Sequence, residues 1–310
     1  MKQRASNNRT LTIQNDERPT LLASLVSLDG LQQEGSWLDA VICADMMEAM
    51  RLIPDEMANL IILDPPYNLS RNFGGTSFLA RDEREYEDYL RSWMHEVCRK
   101  LKPTGSLYLC GDWHCSATMQ RVLSDELTIL NRITWQREKG RGAKANWKNS
   151  MEDIWFAVKD PQQYYFNVEA VMIKRRVLAP YRENGKPKDW EETEAGNFRL
   201  SHPSNFWDDI TVPFWSMHEN TNHPTQKPEK LIAKLILASS KEGDVVFDPF
   251  MGSGTSCVVA SKLGRHFCGI EQNKEYCLWA QKRLLLAKED TAIQGYADGV
   301  FWERNTNPHG

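Results

Sequence analysis

The sequence predicts an α/β fold built on a mainly parallel sheet, and three stretches carry the prediction. Leu60-Ile61-Ile62-Leu63 and Asp244-Val245-Val246-Phe247 both read as strands buried on two faces. The second opens through Asp248-Pro249-Phe250-Met251-Gly252-Ser253-Gly254-Thr255 into Ser256–Leu263, which has helical spacing. Strand, glycine turn and helix form the first half of a βαβ nucleotide-binding unit, in which glycines let the backbone approach a ligand closely.

Along the chain, residues 1–36 are polar at first, with a short apolar piece from Leu21 to Leu31 and no evident role. Leu38–Cys43 reads as a strand that closes on Ala44-Asp45, followed by a helix bearing Met46, Met50 and Leu52. Asp45 therefore suits the N-cap of that helix and lies at the same sheet edge as Asp64. Asn68–Arg81 lacks periodicity and contains Gly74-Gly75, so a mobile loop is expected after the strand that ends at Leu63. Tyr86, Leu90, Trp93, Met94, Val97 and Leu101 recur at helical spacing, and Pro103 with Gly105 ends that element. Strands are expected at Ser106–Gly111, Leu127–Trp135 and Asp153–Val158. Residues 160–222 break periodicity and are rich in aromatics. Helices follow at Glu229–Ser240 and Gln272–Leu286, the strand His266–Ile270 ends in Glu271, and the tail from Glu289 is polar.

At 310 residues the chain suits one α/β domain with an insertion better than two equal domains. No apolar run approaches membrane-spanning length, and the N-terminus has no apolar signal core. Seven cysteines without metal-type pairing suggest reduced thiols in a cytoplasm. The net charge of −4 does not favour a nucleic acid partner, but the charges are unevenly spread. Arg132, Arg137, Lys139, Arg141, Lys144 and Lys148 face one acid, Glu138; Lys174, Arg175, Arg176, Arg182, Lys186 and Lys188 face Glu183. Two such segments suit either a solvated surface or a DNA-facing side.

The chemistry is most legible at Asp64-Pro65-Pro66-Tyr67, which directly follows a buried strand. Two prolines cannot continue the ladder and leave a rigid turn with a carbonyl pointing outward. Beside that carbonyl stand a carboxylate, Asp64, and a flat ring, Tyr67. Two acceptors and a stacking face suit an aromatic ring carrying an NH2 group, whose lone pair is freed when both hydrogens are accepted. In the glycine turn, Gly252-Ser253-Gly254 lacks the third glycine of a dinucleotide fingerprint, and no Gly-Lys-Ser/Thr follows. An acid before the turn disfavours pyrophosphate but tolerates a cationic cofactor such as S-adenosylmethionine, and Glu271 is placed to take ribose hydroxyls.

Together these segments resemble the amino-methylating DNA methyltransferases. The catalytic tetrapeptide at position 64 comes before the glycine turn at 248, and His223-Pro224-Thr225-Gln226-Lys227-Pro228 lies just upstream of that turn. This is similar to the permuted beta group, in which the catalytic half comes first; the resemblance covers residues 38–286. It implies a Rossmann-like S-adenosylmethionine-dependent fold, permuted, with an inserted target-recognition region. The expected division is an N-terminal extension at 1–37, a catalytic half at 38–159, the insert at 160–222, a cofactor half at 223–288 and a tail at 289–310.

The resemblance further implies roles. Asp64, Pro65, Pro66 and Tyr67 hold a base flipped out of the duplex, and the loop after them closes over it. Asp45, His223, Thr225, Lys227, Asp248, Pro249, Phe250, Gly252, Ser253, Gly254, Thr255, Glu271 and Gln272 belong to the cofactor site, with Lys227 and Thr225 on the methionine carboxylate. Arg141, Lys144, Trp147, Lys148, Asn149, Arg175, Arg176 and Arg182 are the DNA-contact candidates. Asp in the first catalytic position favours adenine N6 over cytosine N4. No cysteine follows a proline, which speaks against C5 methylation, and no metal is required. Implied partners are double-stranded DNA, a cognate restriction endonuclease of the same sequence and a second copy of the chain. Competing readings are a non-catalytic DNA-binding subunit, which predicts damage to motifs that are intact, a nicotinamide-dependent dehydrogenase, which predicts a third glycine, and an RNA methyltransferase.

Overall fold

A computed structural model describes residues 6–73, 76–137, 146–178, 181–194 and 196–303. In chain order the elements are α1 (Arg18–Ala23), β1 (Ala40–Cys43), α2 (Met46–Met50), β2 (Ala58–Leu63), β3 (Arg71–Phe73), β4 (Thr76–Phe78), α3 (Glu83–Arg99) and β5 (Leu101–Gly111). Then come α4 (Trp113–Glu126), β6 (Thr128–Gln136), β7 (Met151–Val158), β8 (Ile173–Arg176), β9 (Arg182–Glu183), β10 (Lys186–Pro187), β11 (Glu191–Thr193), β12 (Gly196–Ser201) and β13 (Phe206–Trp207). The last third holds α5 (Glu229–Ser239), β14 (Val245–Asp248), α6 (Thr255–Lys262), β15 (His266–Glu271), α7 (Lys274–Glu289), β16 (Tyr296–Ala297) and β17 (Val300–Trp302).

Eight strands form the main sheet in the order β1-β15-β14-β2-β5-β7-β6-β13. All neighbours are parallel except β7, which runs against both β5 and β6. Alternation along β2 divides the core: Leu60 and Ile62 pack toward α5, α6 and α7, while Ile61 and Leu63 pack toward α2, α3 and α4. Helices thus cover both faces, which is why the central strands read as unbroken apolar runs.

β2 and β14 pair with each other, and the chain departs from them in opposite directions, to β5 on one side and to β15 and β1 on the other. The carboxyl ends of two such strands flank a topological switch point, where open α/β sheets bind ligands. Asp64 follows β2 directly and Asp248 ends β14, so the two sequence motifs meet there.

Four departures from the sequence reading have plain causes. The segment expected as a loop contains the antiparallel pair β3 and β4, and Asn68 closes its base by accepting from the Arg81 N–H at 2.7 Å and donating to the Arg81 carbonyl at 2.8 Å. Strand β5 begins at Leu101, with Pro103 and Gly105 inside it, because the Ala58 pairing with Leu101 and the Leu60 pairing with Ser106 leave a bulge between. The tail is structural: β17 pairs with β8 in a second sheet, order β11-β12-β8-β17-β16, and Phe301 is fully buried. The N-terminal segment is tied to the rest of the chain, with Val26 bridging to Ile42, Arg18 paired to Glu275 at 2.6 Å and Lys282 paired to Glu17 at 2.6 Å. Among the described residues, no helix is long and apolar enough to cross a membrane.

Candidate active site

A cleft of about 390 Å³ opens at the switch point, lined from Ala44 and Asp45 after β1, from the β2 turn, from α3, from His223–Lys227 and from the loop after β14. Its floor is set by local sequence. The Pro65-Pro66 turn stops β2, and the Tyr86 hydroxyl of α3 donates to the Pro66 carbonyl at 3.2 Å. That helix is anchored by a capping box between Asp82 and Glu85, so Tyr86 reaches the turn from a fixed start.

Both oxygens of Asp64 are engaged. Oδ1 accepts from the Tyr67 hydroxyl at 2.8 Å, and Oδ2 accepts from the Lys227 ammonium at 2.6 Å. The Lys227 Nζ also lies 3.1 Å from the Tyr67 oxygen and 3.5 Å from Glu152 Oε2. Burial alone would lower the Lys227 pKa, but the Asp64 and Glu152 carboxylates outweigh it and hold the ammonium above its usual range. Burial, then the same carboxylates, push the Tyr67 phenol far up, so it remains a neutral donor.

The opposite wall is the glycine loop. Asp248 turns both carboxylate oxygens on it: Oδ1 accepts from the Phe250 N–H at 2.9 Å and Oδ2 accepts from the Ser256 hydroxyl. Burial raises its pKa to about 7. Glu271, at the end of β15, accepts from the Gly252 N–H at 3.1 Å and the Asn273 N–H at 2.7 Å. Gly252 has φ 54°, and a Cβ there would lie 2.9 Å from His223 Nε2, so only glycine fits. Arg283 donates to the Ser253 carbonyl and to the Thr255 hydroxyl at 2.9 Å, and Thr255 in turn donates to the Lys227 carbonyl at 3.1 Å. The loop, α7 and the Lys227 turn are thereby one braced unit. His223 is wedged edge-on against Tyr276 at 4.5 Å and receives the Thr225 N–H on Nδ1 at 3.4 Å. Burial lowers its pKa to about 4, so the ring is neutral.

The cofactor candidates fall together: Asp45, His223, Thr225, Lys227, Asp248, Pro249, Phe250, Gly252, Ser253, Thr255, Glu271 and Gln272 all line the cleft, and Gly254 caps α6 behind it with φ 78°. These residues fit a nucleoside-type cofactor, since an acid closes β15, Phe250 offers a ring and the loop presents bare backbone at Gly252. Asp45 caps α2 as expected, accepting from the Met47 and Glu48 N–H groups, and also faces the cleft. One expectation changes in detail. Lys227 does not project as a free cation toward a cofactor carboxylate: burial at 7% exposure forces it onto the nearest acid, Asp64.

The DNA candidates are less concentrated. Arg141 and Lys144 lie outside the described residues. Trp147 is 94% exposed and Lys148 is exposed, while Asn149 donates to Asp112 Oδ2 at 3.0 Å and so ties the segment to the cap of α4. Arg175 and Arg176 sit on β8, where both contact Glu303, at 3.7 Å through the side chain and 3.1 Å through the backbone N–H respectively. Arg182 pairs with Glu192 at 3.2 Å and lies over the Trp190 ring.

Sequence reasoning missed Glu152. It is 3% exposed, contacts Lys227, Tyr67 and Arg137, and reaches the catalytic edge because β7 runs backwards, which brings the start of that strand to the end where its neighbours finish. An acid at the head of an apolar strand, just after a basic segment, was the available signal. Arg137, read with the basic segment, is instead paired to Glu152.

The model of the DNA methylase family, the N6/N4 methyltransferases, matches residues 58–282. The chain belongs to this family. This DNA methylase is 36% identical over 268 residues to the DNA adenine methyltransferase YhdJ of Escherichia coli (strain K12), covering 83% of this chain and 86% of that one. It is 33% identical to the Type II methyltransferase M.HpaI of Haemophilus parainfluenzae, over 79% of this chain and 73% of that one. Among solved structures, the cytosine-N4-specific PvuII DNA methyltransferase superposes with TM-score 0.59 at 20% identity, over 81% of this chain and 92% of that one. The M1.HpyAVI–SAM complex does so with TM-score 0.51 at 21% identity, over 79% and 98%. The methylase therefore has the fold of these enzymes, with Asp64-Pro65-Pro66-Tyr67 and the glycine loop both inside the matched span.

Proposed function

We propose that this DNA methylase transfers a methyl group from S-adenosylmethionine to the N6 amine of an adenine in a short DNA sequence, after that base has been flipped from the duplex. The observation that carries the reading is the meeting of Asp64-Pro65-Pro66-Tyr67 and the loop from Asp248 to Thr255 at one switch point, across a single cleft. When bound, the cofactor supplies a methyl carbon on a positively charged sulfur. Everything else is work for the protein.

A base inside a duplex cannot present its amine to a sheet edge, so extrusion is required, at a cost of a few kcal/mol that stacking on the Tyr67 ring offsets in part. Asp64 and the Pro65 carbonyl accept the two amine hydrogens. The nitrogen lone pair is then drawn out of conjugation and can take the methyl as its bond to sulfur breaks, and the amine proton shed in forming the neutral product has the Asp64 carboxylate beside it as acceptor. Lys227 orients Asp64 through one oxygen, and the neutral Tyr67 hydroxyl fixes the second. The loop braced by Arg283, Asp248 and Glu271 fixes the cofactor side of the cleft. Trp147, Lys148 and Asn149 border the DNA-facing side, and Arg175, Arg176 and Arg182 belong to the recognition insert.

Adenine is favoured by aspartate in the first catalytic position, and the name of the YhdJ relative agrees. Cytosine N4 uses the same chemistry, and the PvuII enzyme with the same fold acts there. We assign the protein to the cytoplasm and to work either alone or beside an endonuclease of the same specificity. The test is mass spectrometry of nucleosides from DNA incubated with the purified protein and S-adenosylmethionine, with modification-sensitive sequencing of the same DNA. N6-methyladenine at one sequence context is expected. A 4-methylcytosine product replaces the adenine assignment, and no methylated base removes the reading.

A further inference from the structure

The catalytic carboxylate presents a difficulty in the resting site. Asp64 must accept a hydrogen of the target amine, yet Oδ2 already holds the Lys227 ammonium at 2.6 Å and Oδ1 holds the Tyr67 hydroxyl. Pulling a buried ammonium off a lone carboxylate leaves an uncompensated charge in a low-dielectric site. Lys227 has a second carboxylate within reach. Glu152 Oε2 lies 3.5 Å from Nζ and 3.4 Å from the Tyr67 oxygen, so a shift of less than about 1 Å brings the ammonium to hydrogen-bonding distance. The other oxygen of Glu152 is held by Arg137, which fixes the carboxylate from the far side and balances its charge. Two carboxylates and two cations therefore alternate in a row, with the lysine between the two acids.

We propose that Glu152 is a positioning residue for methyl transfer: it stands as second acceptor for Lys227, so that Asp64 can release the ammonium and take the amine hydrogen of the flipped base. The inference rests on the amine-methylation reading above. No proton moves between Lys227 and either acid; the ammonium changes partners and stays charged. A carboxylate needed only to anchor Arg137 has no reason to turn its second oxygen on the catalytic pair at 4% side-chain exposure.

The test compares wild type, Glu152→Gln and Glu152→Asp. The readouts are single-turnover methylation of a duplex carrying the protein's own target sequence, cofactor affinity, thermal melting, and binding of that duplex against one whose target base lacks the exocyclic amine. The binding arm uses a non-transferring analogue of S-adenosylmethionine. Glu152→Gln is expected to slow the single-turnover step about tenfold to a hundredfold, the worth of one hydrogen bond to a charged group. Cofactor affinity is expected to stay within twofold, and the binding preference for the amine-bearing base is expected to vanish. Glu152→Asp, which keeps the charge but withdraws it by one methylene, is expected to fall between. A wild-type rate in Glu152→Gln overturns the proposal. So does a loss of rate that travels with cofactor affinity and melting temperature, the pattern of a purely structural residue. If Glu152→Gln does not fold, Glu152→Asp decides: slower transfer at wild-type cofactor affinity supports the role, and an unchanged rate or a second folding failure refutes it. Absence of methylation by the wild type is a separate outcome, and it overturns the function rather than the role of Glu152.

Discussion

Replacing Lys227 by Met tests whether the charges of the catalytic cluster are coupled. The side chains of Lys227, Asp64 and Glu152 are 8%, 19% and 4% exposed, so the substitution removes the shared cation from two acids that have little water to replace it. Taking one partner from a buried ion pair costs about 3–5 kcal/mol. For a chain of this size that is a fall in melting temperature on the order of 5–15 °C near neutral pH. In the wild type the ammonium stays charged across the neutral range, because the Asp64 and Glu152 carboxylates hold it above its usual value.

Thermal denaturation of both proteins near neutral pH, with methylation measured in parallel, reads the effect directly. A variant that melts within about 2 °C of wild type would show that the three groups are not coupled as described.

Asp64→Ala should abolish methyl transfer in a radiolabelled-methyl assay while cofactor affinity survives; substantial residual activity would remove the tetrapeptide from the mechanism. Gly252→Ala forces a Cβ to within 2.9 Å of His223 at φ 54°, so cofactor affinity by calorimetry should drop about tenfold or more, and wild-type affinity would refute the close approach. His223 has its folded pKa lowered by burial to about 4, below its usual 6.5, so the wild type should lose up to roughly 3 kcal/mol as pH falls from 6.5 to 4. His223→Gln should flatten that acid limb in denaturant titrations, and an unchanged limb assigns the loss to other groups.

The parts of the fold that were legible are those where local pattern and burial agree. β2 and β14 carry the apolar runs Leu60–Leu63 and Val245–Phe247 because helices cover both sheet faces, and Asp82 with Glu85 announces the start of α3. Helix α4 escaped notice because the side it buries includes Ser116 and Thr118 among Cys115, Met119, Val122 and Leu123, so its apolar stripe is thin. The tail strands are two and three residues long and have no meaning until β8 is beside them. Site residues on the glycine loop were found from spacing, whereas Glu152 depends on the direction of β7, which periodicity does not encode. The fate of Lys227 was hidden for a related reason: a lysine in a turn motif shows its charge in the sequence but not its partner, and the partner lies 163 positions away.

The order of the two halves becomes intelligible from the sheet. β2 and β14 are hydrogen-bonded neighbours, although β2 opens the matched span and β14 lies in its last quarter. A cleft at a switch point needs only that these two carboxyl ends lie side by side; it does not require one to precede the other along the chain. β2 can therefore come before β14 provided that something returns the chain to the middle of the sheet. Here the return is made by the His223–Pro228 turn and α5, a helix buried along all eleven residues and pinned by Lys234 to Asp209 at 2.9 Å. Lys227 lies in that returning turn. The turn that returns the chain to the middle of the sheet thus also delivers the cation that meets Asp64.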